Sequence, residues 1–215
     1  MALEFKIIPV TPFAQNCSVV WCTESNLAAV IDPGGDLDKV IGVIQSKGLE
    51  LDKILITHAH LDHAGGTAEL ARVTGAPIIG PHRDDQFWID LLPEQCRQFG
   101  FDGDSFTPDQ WLNHGDRVPL GNLSFDVVHC PGHTPGHVVF VEKTQQFAAV
   151  GDVIFQGSIG RTDFPKSNPQ DLLDSIRQRL LPLGDDIRFI PGHGPMSTFG
   201  QERQTNPFVA DSRFG

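Results

Sequence analysis

The sequence predicts an α/β fold. Short runs rich in Val, Ile and Phe, bounded by Gly, Pro, Asp or Asn, alternate with longer stretches of helical character. Four of the apolar runs end directly in side chains of the metal-ligand type. No internal repeat of solenoid period and no low-complexity tract breaks the alternation.

In chain order, strands are expected at Phe5–Val10, Cys17–Cys22 and Leu27–Ile31. A helix over Asp36–Ser46 follows, with Asp36 as N-cap and Lys47-Gly48 as its stop. Then come a strand at Lys53–Ile56, a helix at Ala64–Val73, a strand at Pro77–Ile79 and a helix at Glu94–Phe99. Strands at Leu123–His129, Val138–Glu142 and Phe147–Val150 precede a helix over Pro169–Leu180. Asn168-Pro169 supplies its N-cap and a proline at the first helical position. A last strand is expected at Arg188–Ile190. This mixture argues for sheets with helices packed outside.

The length of 215 residues suits one domain, residues 1–215, large enough to fold without a disulfide or structural metal. With 16 Lys+Arg against 27 Asp+Glu the net charge is −11, and no basic run occurs. Binding to nucleic acid needs cations that displace counterions from phosphates, so that class is disfavoured. The acidity suits divalent cations and repels anionic membranes. The opening MALEFKIIPVTPF lacks the pattern of a secretory signal, and no apolar stretch approaches a membrane span of roughly 18 residues or more. Cys17, Cys22, Cys96 and Cys130 form no CxxC pair, and free thiols in a reducing cytoplasm are expected. The sequence is compatible with a monomer and sets no oligomeric state.

The central signal is Thr57-His58-Ala59-His60-Leu61-Asp62-His63-Ala64-Gly65-Gly66. In an extended segment His58 and His60 point to the same side, so both imidazoles reach one ion. Asp62 and His63 fall where the chain turns into the next helix and can serve a second ion. The remaining ligands come from other strand ends: His133 in Pro131-Gly132-His133-Thr134, Asp152 in Val150-Gly151-Asp152, and His193 in Pro191-Gly192-His193-Gly194. Asp152 has two oxygens with which to bridge. A lone histidine is more often solvated or hydrogen-bonded than a ligand. Three imidazoles beside a carboxylate in so short a span serve no packing purpose. His82, His114, His129 and His137 are read as structural or surface residues, with His137 close enough to support the site.

These motifs, together with Ile31-Asp32-Pro33-Gly34, resemble the metallo-β-lactamase superfamily, and within it the short, single-domain type of the glyoxalase II branch. The resemblance implies an αβ/βα four-layer sandwich, two facing mixed β-sheets with helices outside and metals at one edge. It implies that His58, His60 and His133 hold one ion, that Asp62, His63 and His193 hold the other, and that Asp152 bridges. The ligand set suits two divalent ions, zinc first, with iron or manganese as alternatives. The implied reaction is hydrolysis of a small-molecule glutathione thioester, S-D-lactoylglutathione, with Asp62 as ligand and as the catalytic residue that orients the nucleophile.

Two departures from the longer glyoxalase II enzymes stand out. Only 22 residues follow His193 (215 − 193), where those enzymes carry a helical domain that helps hold glutathione, and Asn206-Pro207-Phe208 reads as a short tail. Arg161, in the loop Gly157–Phe164, stands where they have a lysine-containing and tyrosine-containing loop, and the chain has no tyrosine. Arg161 is expected either to pair with a substrate carboxylate or to form a structural salt bridge. The rival reading is a mononuclear-iron persulfide dioxygenase of the same superfamily, using His58, His133 and Asp152; its Cys is Ile159 here. A β-lactamase would carry an export signal, and a processing nuclease a basic surface. A binding module without catalysis would be expected to have lost at least one ligand.

Overall fold

The computed structural model describes residues 2–213. One mixed sheet has the order β1 (Leu3–Val10), β2 (Gln15–Cys22), β3 (Leu27–Ile31), β4 (Glu50–Leu55) and β5 (Ile78–Ile79). The β3–β4 and β4–β5 pairs are parallel and the others antiparallel. Six strands form the second mixed sheet: β6 (Arg117–Leu120), β7 (Leu123–His129), β8 (Val138–Glu142), β9 (Phe147–Gly151), β12 (Arg188–Pro191) and β13 (Ser197–Thr198). Its order is β13-β12-β9-β8-β7-β6, with β9 and β12 parallel. A small hairpin of β10 (Ile154–Phe155) and β11 (Ser158–Ile159) lies between β9 and β12 in sequence.

Three apolar layers hold the sandwich together, and the strand period of two assigns residues to them. Val20, Ala29, Ile31 and Leu55 of the first sheet face Phe125, Val127, Phe140 and Phe147 of the second. Their chain neighbours Val19, Val30 and Ile54 point the other way. There they meet the helices α1 (Leu37–Ser46), α3 (Thr67–Thr74) and α4 (Gln86–Gln98) through Val40, Ile44, Leu70, Ile89 and Leu92. Val139, Val141 and Val150 pack outward against α5 (Pro169–Asp174) and α6 (Phe199–Thr205) through Leu172 and Phe199. The inner strands β2, β8 and β9 are covered on both faces, which is why they read as unbroken apolar runs. The architecture is the expected helix–sheet–sheet–helix stack.

Several local expectations are corrected. Asp36 does not cap α1 with its side chain; it is left-handed (φ 50°), and its carboxylate accepts the Thr11 N–H at 3.0 Å. The helix expected at Ala64–Val73 is split at Gly65-Gly66 into α2 (Leu61–Ala64) and α3. The helix expected at Glu94–Phe99 begins eight residues earlier, at Gln86, and runs through Pro93, which in sequence reads as a break. The segment expected as helix to Leu180 continues from α5 as a π-helical turn, Ser175–Leu180. The strands β6, β10, β11 and β13 are too short or too polar to have been expected.

Asn206-Pro207-Phe208 is not a loose tail. Asn206 is buried, and its amide donates to Ser158 O at 2.9 Å and to Glu202 Oε2 at 2.9 Å, tying α6 to the β10–β11 hairpin. The Asn168 cap holds as expected, its side chain accepting from the N–H groups of Gln170 and Asp171. All four cysteines are free and buried. Among the described residues no helix is long and apolar enough to cross a membrane.

Candidate metal centre

Each predicted ligand leaves the carboxyl end of a strand. β4 runs through Ile56 and Thr57 into His58 and His60, and the short α2 then presents Asp62 and His63. The parallel β9 and β12 deliver Asp152 and His193, and the segment after β7 delivers His133. Two glycines make the convergence possible. A Cβ on Gly192 would sit on Asp152 Oδ1 and 2.6 Å from the His63 ring. Gly151 has φ +49°, and a Cβ there would come within 2.7 Å of His137. Neither position tolerates a side chain.

All seven residues meet. One ligand atom from each of His58, His60 and His133 lies within 4.8 Å of the others, and the same is true of Asp62, His63 and His193. Asp152 lies between the trios, with Oδ2 3.6 Å from His133 Nε2 and 3.8 Å from His193 Nε2, and Oδ1 3.2 Å from His63 Nε2. Asp62 Oδ2 is 3.1 Å from His193 Nε2 and 3.8 Å from His63 Nε2.

The electrostatics divide along the same line. Burial, reinforced by neighbouring imidazoles, pushes His58 and His60 well below the ordinary histidine value, and burial also lowers His133. These three rings are neutral, with lone pairs to offer. Burial works against His63 too, but Asp152 and Asp62 outweigh it and hold that imidazole well above its ordinary value. Burial opposes ionisation of Asp152, and the charge of His63 together with its hydrogen bond overcomes it and holds the carboxyl well below the ordinary carboxylate range.

The donor set fits divalent metal ions. His58 Nε2 and His60 Nε2 are buried with no hydrogen-bond partner, and His63 Nε2 and Asp152 Oδ1 have only each other, at 3.2 Å. Buried polar atoms are normally paired, so a cluster of orphans calls for a cation. The ring orientations point the same way. His133 Nδ1–H donates to the Arg161 carbonyl at 2.8 Å, which leaves the Nε2 lone pair aimed at His60 Nδ1, 2.9 Å away. Imidazole nitrogens and carboxylate oxygens at this density are ligands for borderline ions.

A supporting layer holds the predicted ligands, and most of it escaped the sequence reading. Asp32, left-handed at the end of β3, accepts from the Thr57 N–H at 2.7 Å and the Thr57 hydroxyl at 2.6 Å. The same carboxylate accepts His63 Nδ1–H at 2.9 Å and so sets which nitrogen His63 offers. Asp85 accepts from Ala59 N–H, the Thr134 hydroxyl and Gly136 N–H, clamping the HxH segment to the PGHT turn. Burial pushes its carboxyl up to about 7 against those three bonds. His137, expected to support the site, stacks on His58 at 4.6 Å and accepts the Asp152 N–H at 3.1 Å. Asp32 could have been found by the logic applied to Asp152, a carboxylate at a strand end. Asp85 could not, because Arg83-Asp84-Asp85 reads as a solvated charge run. Asp32→Asn should weaken metal affinity about 10- to 100-fold, because the new amide N–H faces donors. Chelator competition measures this, and unchanged affinity would reduce Asp32 to a packing role.

The centre opens into a cavity of about 540 Å³. Its floor carries His60, Asp62, His133, Asp152 and His193, and its walls include Phe13, Trp88, Phe99, Phe155 and Phe164. Arg161 also lines it. That guanidinium is exposed, paired with Asp163 through contacts of 3.0 and 2.7 Å, and lies 4.7 Å over the Phe164 ring. An exposed pair of this kind is weak and open to exchange.

Comparison with known proteins agrees with this geometry. The family model described as the metallo-beta-lactamase superfamily matches residues 10–193. Hydroxyacylglutathione hydrolase GloC of Haemophilus influenzae is 47% identical over 209 residues, covering 96% of this chain and 98% of that protein. The crystal structure of the BLEG-1 B3 metallo-beta-lactamase superposes with a TM-score of 0.88 at 34% identity, over 96% of this chain and 99% of that one. That of TTHA1623 in a di-iron-bound form superposes with a TM-score of 0.86 at 36% identity, over 95% of this chain and 100% of that one. The chain belongs to the metallo-β-lactamase superfamily and is a metal-dependent hydrolase.

Proposed function

We propose that the chain is a dinuclear thioester hydrolase of the glyoxalase II type, converting S-D-lactoylglutathione and water to glutathione and D-lactate. The observation that carries this reading is Asp152, placed between two separate trios of ligand-type side chains at the floor of one cavity. The 47% identity to a hydroxyacylglutathione hydrolase supports the substrate class. His58, His60 and His133 would hold one ion, Asp62, His63 and His193 the second, and Asp152 both. Zinc is the first choice on affinity, and iron is supported by the similar protein crystallised with two irons.

Bound divalent ions acidify water to give a nucleophile at neutral pH and polarise a carbonyl. The chain's own part is positioning. Asp62 is ionised, because the charge of His63 and the hydrogen bond from His193 outweigh the effect of its burial. It faces the cavity, so its carboxylate can accept a proton from attacking water and orient it. Apart from Asp62 and Asp152, no carboxylic acid lines the cavity. That suits a thioester, whose leaving thiol has a pKa of about 8.5 and departs without a general acid. An amide would need one. The aromatic walls exclude water from the reacting carbonyl, and Arg161 can exchange Asp163 for a substrate carboxylate.

The deciding experiment is an assay of S-D-lactoylglutathione hydrolysis with metal analysis of the same preparation. Thioester cleavage with two metals per chain is the expected result. Oxygen uptake dependent on glutathione persulfide, with a single iron, would overturn it in favour of a dioxygenase held by His58, His133 and Asp152.

A further inference from the structure

We propose that the cavity prefers thioesters whose acyl group carries an aromatic ring, and that Phe13 and Phe99 grip that ring. The proposal rests on the thioesterase reading above and adds the class of acyl group.

Four large hydrophobic side chains are exposed among the described residues: Phe13, Val73, Phe99 and Phe208. Two of them converge on the active cavity. Phe13, from the β1–β2 turn, and Phe99, at the end of α4, line it together with ring centroids 5.5 Å apart and planes at 69°. Phe13 also lies 5.9 Å from Phe101. Phe13 is 38% exposed and Phe99 57%, so neither ring is needed to fill the core. An edge-to-face aromatic pair left in water at the mouth of a reaction site has free faces for a third ring.

The backbone beneath Phe13 is built to hold it there. Thr11 and Ala14 are both left-handed, with φ of 61° and 51°. That conformation is an outlier for a β-branched residue and persists only where the surroundings enforce it. The enforcement is local. Thr11 N–H donates to Asp36 Oδ2 at 3.0 Å, Ala14 N–H to Thr11 O at 3.0 Å, and Phe13 N–H to Thr11 Oγ1 at 3.3 Å. A strained turn that contributes no side chain to the core and lifts a phenylalanine to the cavity mouth is a device for the ligand.

Charge then orients the substrate. Arg161 is the one arginine or lysine among the residues lining the cavity, and it comes from the second-sheet half of the sandwich. Phe13 and Phe99 come from the first-sheet half. The carboxylates of glutathione are drawn to Arg161, and with the thioester carbonyl over Asp62 and His193 the acyl group is left for the phenylalanine side. Outside the ligand set and Arg161, only Gln95 and the Trp88 indole N–H offer polar groups to the cavity, and the rest of its lining is apolar. In the reaction, water oxygen bonds to the acyl carbon and the C–S bond breaks with its electron pair on sulfur. The thiolate takes one water proton, the other passes to solvent, and the acid leaves as carboxylate.

The test is a matched pair of substrates differing by phenyl for methyl, S-(2-hydroxy-2-phenylacetyl)glutathione and S-D-lactoylglutathione, with the metal-loaded protein. The phenyl substrate is expected to have a kcat/KM at least about tenfold higher. In the double variant F13A/F99A that advantage should vanish, the loss on the phenyl substrate being roughly tenfold greater than the loss on the lactoyl one. Binding of the unreactive thioethers S-benzylglutathione and S-methylglutathione reads the same preference without turnover. The wild-type Kd should favour benzyl by about tenfold, so the comparison stands even if the double variant folds poorly. Equal or better turnover of the lactoyl substrate, or an equal loss on both in the variant, would overturn the proposal while leaving the thioesterase reading intact. Hydrolysis of neither substrate would remove both.

Discussion

Asp62→Ala should leave one bound metal per chain in place of two and lower thioester hydrolysis about a thousandfold. The first part follows from the separation of the trios. Asp62 contacts His193 and His63 at 3.1 and 3.8 Å, while His58, His60 and His133 form their own group. Removing Asp62 takes the sole carboxylate from the second trio and leaves the first whole. The second part follows from magnitude. Charge stabilisation by a catalytic ion is worth several kcal/mol, and about 1.4 kcal/mol is a factor of ten in rate. Asp62 sits in the first turn of α2, where an acidic residue contributes only about 0.3–1 kcal/mol through the helix dipole, so the fold survives the change. Metal analysis and kcat/KM on one preparation decide the matter. A variant that kept both metals and full activity would leave Asp62 without a role in the chemistry.

The seven residues that converge were legible in the sequence because chain-local rules place them. His58 and His60 alternate on an extended segment, Asp62 and His63 fall at a turn, and His133, Asp152 and His193 each follow a strand with a glycine beside them. The strands that carry them were legible for a related reason. Covered on both faces, they show continuous apolar runs that alternate between two cores, as Val19 and Val20 do. What could not be read depends on contacts between distant segments. Asp85 reaches the HxH segment and the PGHT turn across 26 and 49 positions. The aromatic mouth joins Phe13 to Phe99, neither of which carries any local mark. Local signals also misled where tertiary packing overrode them. Pro93 reads as a helix break yet sits inside α4, whose Trp88, Ile89, Leu92 and Cys96 anchor it to the sheet. Asp36 has the residue type of a cap, yet its carboxylate is used to hold the Thr11 turn.

Chelating the metals should lower the melting temperature by roughly 15–30 °C. A ligand held at a thousand times its dissociation constant stabilises by about 4 kcal/mol per site, so two sites give about 8 kcal/mol. For a chain of about 200 residues each kcal/mol moves the midpoint by about 2–4 °C. The physical source of this sensitivity is the packing of the ligands. His58 and His63 are fully buried and His60 and His133 nearly so, and the Nε2 atoms of His58 and His60 have no hydrogen-bond partner. With the ions stripped, the His133 Nε2 lone pair has only another imidazole before it at 2.9 Å. The supporting bonds from Asp32, Asp85 and His137 then hold a cluster with no shared cation to bind it. Asp62→Ala, which keeps one trio, should show about half the shift. The measurement is a thermal melt with and without chelator, followed by re-addition of zinc. A midpoint unmoved by chelation in a protein shown to have lost its metal would mean that the histidines satisfy one another, and that the cluster belongs to the core and not to a metal centre.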